Sequence, residues 1–256
     1  MSVRSVYVLT VLVTAAALAL PASRGWALEC GDLDSNGSIA ATDALLLLRN
    51  AVGQSVTLMC PAGGLRPPAT GQTTTFGPGS DGDVQAGAAL SYTDNGDGTI
   101  TDNNTGLMWE KKDDSGGIHD QDNVYTWSTG SNNMDGTLKT VFLDTLNDVA
   151  GGGTNCFAGR CDWRIPSLKE LQSIVDSERF DPAIDPAFHQ PATCTGCSDV
   201  TLASCSCTKF TNTNYWSSTT DIDPAFKVWT VFFHSGFVPA PPKTDSNSVR
   251  AVRGGL

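Results

Sequence analysis

The residues best suited to a defined chemistry stand near the N-terminus, between Asp32 and Asp43. Asp32, Asp34 and Asn36 occupy positions one, three and five of a twelve-residue run, and Ser38 at position seven offers its backbone carbonyl. Gly37 at position six permits the sharp turn that a cage of oxygen ligands requires, and Asp43 closes the run at position twelve. Ala40 at position nine has no side-chain oxygen, so water would complete that place. The spacing predicts a bound calcium ion, Ca2+, held by Asp32, Asp34, Asn36, Ser38 and Asp43. The plainer reading is an Asp/Asn/Gly turn that only caps the helix expected over residues 42–51.

A second set of residues is aromatic. Trp216, Trp229, Phe232, Phe233, His234 and Phe237 crowd the C-terminal part of the chain. A flat ring can stack on the C–H face of a sugar, which makes Trp216, Trp229, His234 and Phe237 candidate ligand contacts. Aromatic residues alternating along a strand more often belong to a core. His234 and Phe237 lie on a turn before Pro239 and are the best placed for exposure.

Catalytic chemistry finds little support. His119, His189 and His234 have no Ser or Cys beside them in a nucleophile pattern. His119 neighbours Asp113, Asp114, Asp120 and Asp122, a metal cluster or, on the plainer reading, a solvated acidic loop. The sequence is not read as that of an enzyme.

The setting for these groups is extracytoplasmic. Arg4, an apolar run from Val6 to Leu20, Pro21 and the small residues before Ala27 form an export signal over residues 1–27. No later segment is apolar enough to span a bilayer. Loss of Arg4 and Arg24 leaves 14 basic against 27 acidic residues, a net charge of about −13. Such a surface repels phosphate backbones and excludes nucleic acid as a partner. Eight cysteines behind an export signal predict disulfides. Cys30 and Cys60 bracket the calcium-loop segment, and Cys156 and Cys161 bracket a short loop. Cys194, Cys197, Cys205 and Cys207 can form two bridges in three ways, with a zinc site as the sharper alternative.

Three regions follow the signal. Residues 28–60 form a small Cys-bounded helical module, residues 61–88 a Pro/Gly/Thr-rich linker, and residues 89–256 the main domain. In that domain Asp94-Asn-Gly-Asp-Gly98 predicts a hairpin between the strands 89–92 and 98–101, followed by a strand over 107–110. Residues 138–150 have helical spacing through Leu138, Val141, Phe142, Leu146 and Val149 and end on Gly151-Gly-Gly153. Ser167-Leu-Lys-Glu170 is a capping box opening a second helix. Strands are expected over 215–219, 228–237 and 248–253, which makes the domain α+β.

Four separated motifs carry a resemblance. They are Tyr92-Thr-Asp-Asn-Gly-Asp-Gly-Thr-Ile-Thr-Asp-Asn-Asn-Thr-Gly-Leu-Met-Trp109, Asp162-Trp-Arg-Ile-Pro-Ser-Leu-Lys-Glu-Leu171, Tyr215-Trp-Ser-Ser-Thr219 and Ser248-Val-Arg-Ala-Val-Arg-Gly254. In this order they resemble the Lcl C-terminal domain family, named after a Legionella collagen-like adhesin. The Trp-Arg-Ile-Pro helix start and the closing strand are also similar to C-type-lectin-like and formylglycine-generating-enzyme-like domains. The resemblance implies a secreted, periplasmic or surface recognition protein that binds a glycan or protein ligand. The founding adhesin's affinity for sulfated glycosaminoglycans is not carried over, because no basic cluster longer than Lys111-Lys112 is present. The loop at Asp32–Asp43 resembles a type I dockerin repeat, an EF-hand-like module. Dockerins that enter cohesins carry two repeats, so the single one here puts cohesin docking in doubt. The alternative reading is an envelope-associated polysaccharide-active enzyme attached through that repeat.

Overall fold

The computed structural model describes residues 67–254. The export signal, the loop at Asp32–Asp43 and the Cys30–Cys60 pair lie outside the described residues. In chain order the elements are α1 (Asp81–Val84), β1 (Tyr92–Asp94), β2 (Thr99–Asp102), β3 (Met108–Glu110) and β4 (Tyr125–Thr126). A π-helical turn, Leu138–Leu143, runs into α2 (Asp144–Leu146), and α3 (Leu168–Gln172) follows. The chain ends in β5 (Tyr215–Thr220), β6 (Val228–Val231), β7 (Ser246–Asn247) and β8 (Val252–Arg253). The domain is mixed α and β, built from small antiparallel sheets and few helices.

The hairpin follows from its turn chemistry. Asp94 Oδ1 accepts from Gly96 N–H at 2.9 Å and Asp97 Oδ1 from Thr99 N–H at 3.1 Å, so the loop's own carboxylates hold β1 against β2. Gly98 has φ +90°, and a Cβ there would meet Val200 Cγ2 at 2.8 Å and Phe157 Cζ at 3.0 Å. A second turn closes on Asp102, whose buried carboxylate accepts from Asn104 N–H and Thr105 Oγ1–H. The sheet order is β1-β2-β3-β8. β8 comes from the far end of the chain and pairs Val252 with Trp109.

β5 divides two cores. Successive strand residues point to opposite faces, so Tyr215 joins Trp109, Ile174, Phe188 and Phe233, whereas Trp216 joins Tyr125, Trp127, Phe142 and Trp163. Each buried indole N–H on the Trp216 side finds a carbonyl: Trp216 donates to Tyr125 at 2.6 Å, Trp127 to Ser217 at 3.1 Å and Trp163 to Phe157 at 3.0 Å.

The expected helix over 138–150 forms differently. The first turn is π-helical, which brings Leu143 to the core beside Leu138, Phe142 and Leu146 and leaves Val141 and Val149 exposed. The capping box at Ser167 and Glu170 is present. Arg164 doubles it with a fork to Glu170 at 2.8 and 2.6 Å. Arg164 and Val252 also exchange backbone hydrogen bonds, both 2.9 Å, which seats the Trp-Arg-Ile-Pro segment against β8.

One expectation needs correction. Residues 67–88, read as part of a linker, form a strap on the domain: Ala69 and Ala88 share a backbone hydrogen bond, Ser177 N–H donates to Thr70, and Glu178 takes Thr73 and Thr74 N–H at 2.7 and 2.8 Å. Gly/Thr composition marks a segment short of apolar side chains, and here backbone hydrogen bonds hold it instead. The cysteine cluster forms the two expected disulfides rather than the zinc site of the alternative reading. Cys194 pairs with Cys207 and Cys197 with Cys205, one loop nested within the other, and Cys156 pairs with Cys161. Among the described residues no helix is long and apolar enough to cross a membrane.

Candidate ligand-binding surface

Beyond β6 the chain continues the alternation that the strand began. Val231 and Phe233 are fully buried, and Phe232 and His234 point the other way and are half-buried. A tight turn then reverses the chain: Phe232 N–H donates to Phe237 at 2.8 Å and Gly236 N–H to Phe232 at 2.9 Å. Gly236 has φ +76° and lies where a Cβ would sit 3.0 Å from Val175 Cγ1. Phe237 emerges from the turn 64% exposed.

The segment after α3 runs beside this turn. Asp181 N–H donates to the His234 carbonyl at 2.9 Å, and Ala183 N–H to Phe233 at 2.7 Å. This pairing brings Phe180, 68% exposed, edge-on to the His234 ring at 4.6 Å. Phe232 flanks the same imidazole at 5.4 Å. The His234 Nδ1 lies 3.1 Å from Asp181 Oδ1. The result is an imidazole held by a carboxylate and walled by phenyl rings, open to solvent. A cleft of about 410 Å³ adjoins the turn at Gly236 and is lined by Thr70, Lys169, Gln172, Ser173 and Ser177 among others, with no acidic side chain. Aromatic faces beside hydroxyl and amide groups and the Lys169 ammonium suit a ligand with both apolar and hydrogen-bonding surfaces. His234 Nε2 has no hydrogen-bond partner among the described residues.

Of the four aromatic candidates, His234 and Phe237 come together here. Trp229 is half-buried on β6, and its carbonyl accepts from Ser217 Oγ at 2.6 Å. Trp216 is fully buried and is withdrawn as a ligand contact, because β5 is covered on both faces. Phe180 and Asp181 were not legible: they follow α3 in Glu-Arg-Phe-Asp-Pro, a stretch with no periodicity, and only tertiary pairing carries them to His234.

The other histidines are occupied elsewhere. His119 turns away from its acidic neighbours, and its Nδ1 contacts Glu110 Oε1 at 2.8 Å. The Asp114, Asp120 and Asp122 carboxylates converge, but Asp120 accepts from Gly116 and Asp122 N–H, and Asp122 pairs with Lys209. This is a loop organised by its own backbone. His189 accepts from Thr208 N–H and donates from Nε2 to Ala192, and burial holds its pKa down.

Glu110 is the centre of a buried charge network. Its Oε1 lies 2.9 Å from Lys112 Nζ, an ion pair without hydrogen-bond alignment, and its Oε2 accepts from Ala251 N–H at 2.9 Å. Lys112 also sits 4.4 Å over the Phe142 ring. Arg250 donates to the Glu110 and Cys207 carbonyls at 2.7 and 2.6 Å. Burial acts to raise the Glu110 carboxyl, but Lys112 and His119 outweigh it and hold the pKa low. Burial lowers Lys112 and Arg250. The network ties β3, the residues leading into β8 and the disulfide segment together.

Comparison with known families gives one match: the model described as Lcl C-terminal domain aligns with residues 98–253. A search of curated proteins returns no match.

Proposed function

The chain belongs to the Lcl C-terminal domain family, and on that premise we propose that it is a secreted or cell-surface recognition protein of adhesin type whose ligand is a glycan. The observation that carries the reading is the exposed Phe180 and Phe237 with the half-buried His234 between them in the chain, beside a cleft of hydroxyl and amide side chains and Lys169. A lectin-like architecture is part of the proposal. The pairing of Arg164 with Val252, which joins the Trp-Arg-Ile-Pro segment to the final strand, supports it. Export by residues 1–27 agrees with three disulfides, which persist in oxidising compartments. The loop at Asp32–Asp43 is proposed to bind Ca2+ through Asp32, Asp34, Asn36, Ser38 and Asp43.

The test is a glycan array probed with the full chain, followed by titration of the best hit against Phe180→Ala and Phe237→Ala. Each variant is expected to weaken binding roughly two- to tenfold, the worth of one aromatic contact. Unchanged affinity in both would remove this surface from the reading. A blank array with retained binding to cell-surface protein would move the ligand class to protein.

A further inference from the structure

We propose that His234 is the hydrogen-bond acceptor of the aromatic surface, set in that role by Asp181, and that it takes a hydroxyl of a neutral sugar ring. The proposal deepens the glycan reading above and rests on it.

A carboxylate only accepts, so the Asp181 Oδ1 at 3.1 Å from Nδ1 places the imidazole proton on that nitrogen. In the neutral ring Nε2 then keeps its lone pair, and it makes no hydrogen bond among the described residues. The ring cannot swing freely. Phe180 meets it edge-on at 4.6 Å and Phe232 lies at 5.4 Å on a tilted plane. The chain positions Asp181 with care: its φ is +58°, a left-handed conformation that Asp tolerates better than most residues, and its N–H is tied to the His234 carbonyl. One backbone bond and one side-chain bond therefore join the same two residues.

A lone pair between phenyl walls selects a donor group borne on an apolar ring. A pyranose meets that description, with an O–H directed at Nε2 and C–H groups over Phe180 or Phe237. Charge decides against an acidic sugar at this point, because Asp181 lies beside the acceptor and would repel a ligand carboxylate or sulfate. Gln172, Ser173 and Ser177 in the adjoining cleft offer hydroxyl-matching groups to a second sugar unit, beside the Lys169 ammonium. His234 is thus a ligand-contacting residue and Asp181 a positioning residue.

The test titrates the full chain with neutral hexasaccharides of glucose, mannose and xylose, and with the per-O-methylated form of the best binder. Methylation keeps the ring and its ether oxygens but removes every O–H donor, and binding should fall at least about tenfold. His234→Phe should weaken binding roughly three- to tenfold, with His234→Gln restoring part of the loss. Imidazole 15N shifts should report the Nδ1–H tautomer in the parent chain and a move toward Nε2–H in Asp181→Ala, with weaker binding and an unchanged melting temperature. An Nε2–H tautomer in the parent chain, or full affinity in His234→Phe, overturns the proposal. If Phe237→Ala still weakens binding in that case, the glycan surface stands without it. No binding to any hexasaccharide overturns both.

Discussion

At Glu110 a single buried carboxylate answers Lys112, His119 and the Ala251 amide, and each of those groups depends on it for compensation. Removing its charge in Glu110→Gln leaves Lys112 buried without a counter-ion. The expected loss is about 3–5 kcal/mol in urea denaturation, the usual consequence of breaking a buried pair from one side. Adding Lys112→Met should recover part of the loss, because the orphaned ammonium is gone and the new side chain packs on Phe142. The pH dependence has a definite sign. The folded carboxyl titrates below its ordinary value of 4.5, so its contribution is complete above that pH and fades as the pH falls through the depressed folded value. A parent chain no more stable than Glu110→Gln at neutral pH would refute the assignment. The same residue shows why the interior was hard to foresee: Met-Trp-Glu-Lys-Lys reads as a strand leaving the core for solvent. The sheet instead continues through β8, and the residues leading into it, Arg250 and Ala251, cover the charges.

The strap of residues 67–88 is an element made by one acceptor more than by any apolar contact. Glu178 takes the Thr73 and Thr74 amides and the Thr74 hydroxyl, and those donors pull its pKa down to about 2. Phe76 on the same segment stays 78% exposed and anchors nothing. Glu178→Ala should therefore speed hydrogen exchange at the Thr73 and Thr74 amides while leaving the β2 and β3 amides protected. Because the folded value is depressed, the hold is complete above 4.5 and lost as pH falls through about 2. The Thr73 and Thr74 amide shifts should follow that titration, and an inflection near 4.5 would contradict it. Local chemistry explains which elements were legible. The hairpin at Asp94–Gly98 and the capping box at Ser167 satisfy their own backbone groups within a few residues, so their sequences announce them. The strap, the pairing of β3 with β8, and the approach of Asp181 to His234 depend on partners more than fifty residues away. Alternation along β5 puts Tyr215 and Trp216 on opposite faces. It gave no sign that both faces are covered, and Trp216 was therefore miscast as a ligand contact.

For the chain as a whole, charge and calcium must be considered together. The net charge of −11 means that any divalent cation eases self-repulsion, so stabilisation by calcium alone would not establish a site. The proposed loop at Asp32–Asp43 makes a narrower prediction. Its three carboxylates, Asn36 Oδ1 and the Ser38 carbonyl are hard oxygen donors for a large, flexible coordination sphere, which favours Ca2+ over the smaller, more slowly dehydrating Mg2+. Extracellular calcium modules bind with dissociation constants of roughly 10⁻⁴–10⁻³ M, so 10 mM calcium should stabilise the loop segment by about 1–3 kcal/mol over chelator. Hydrogen exchange on the full chain should place that protection within residues 28–60, with Mg2+ at equal ionic strength giving little. Asp34→Asn removes one charged ligand and changes the net charge by a single unit, so it should abolish the calcium effect without altering the response to ionic strength. Equal protection by calcium and magnesium, or a calcium effect that survives Asp34→Asn, would reduce the loop to a turn that caps a helix.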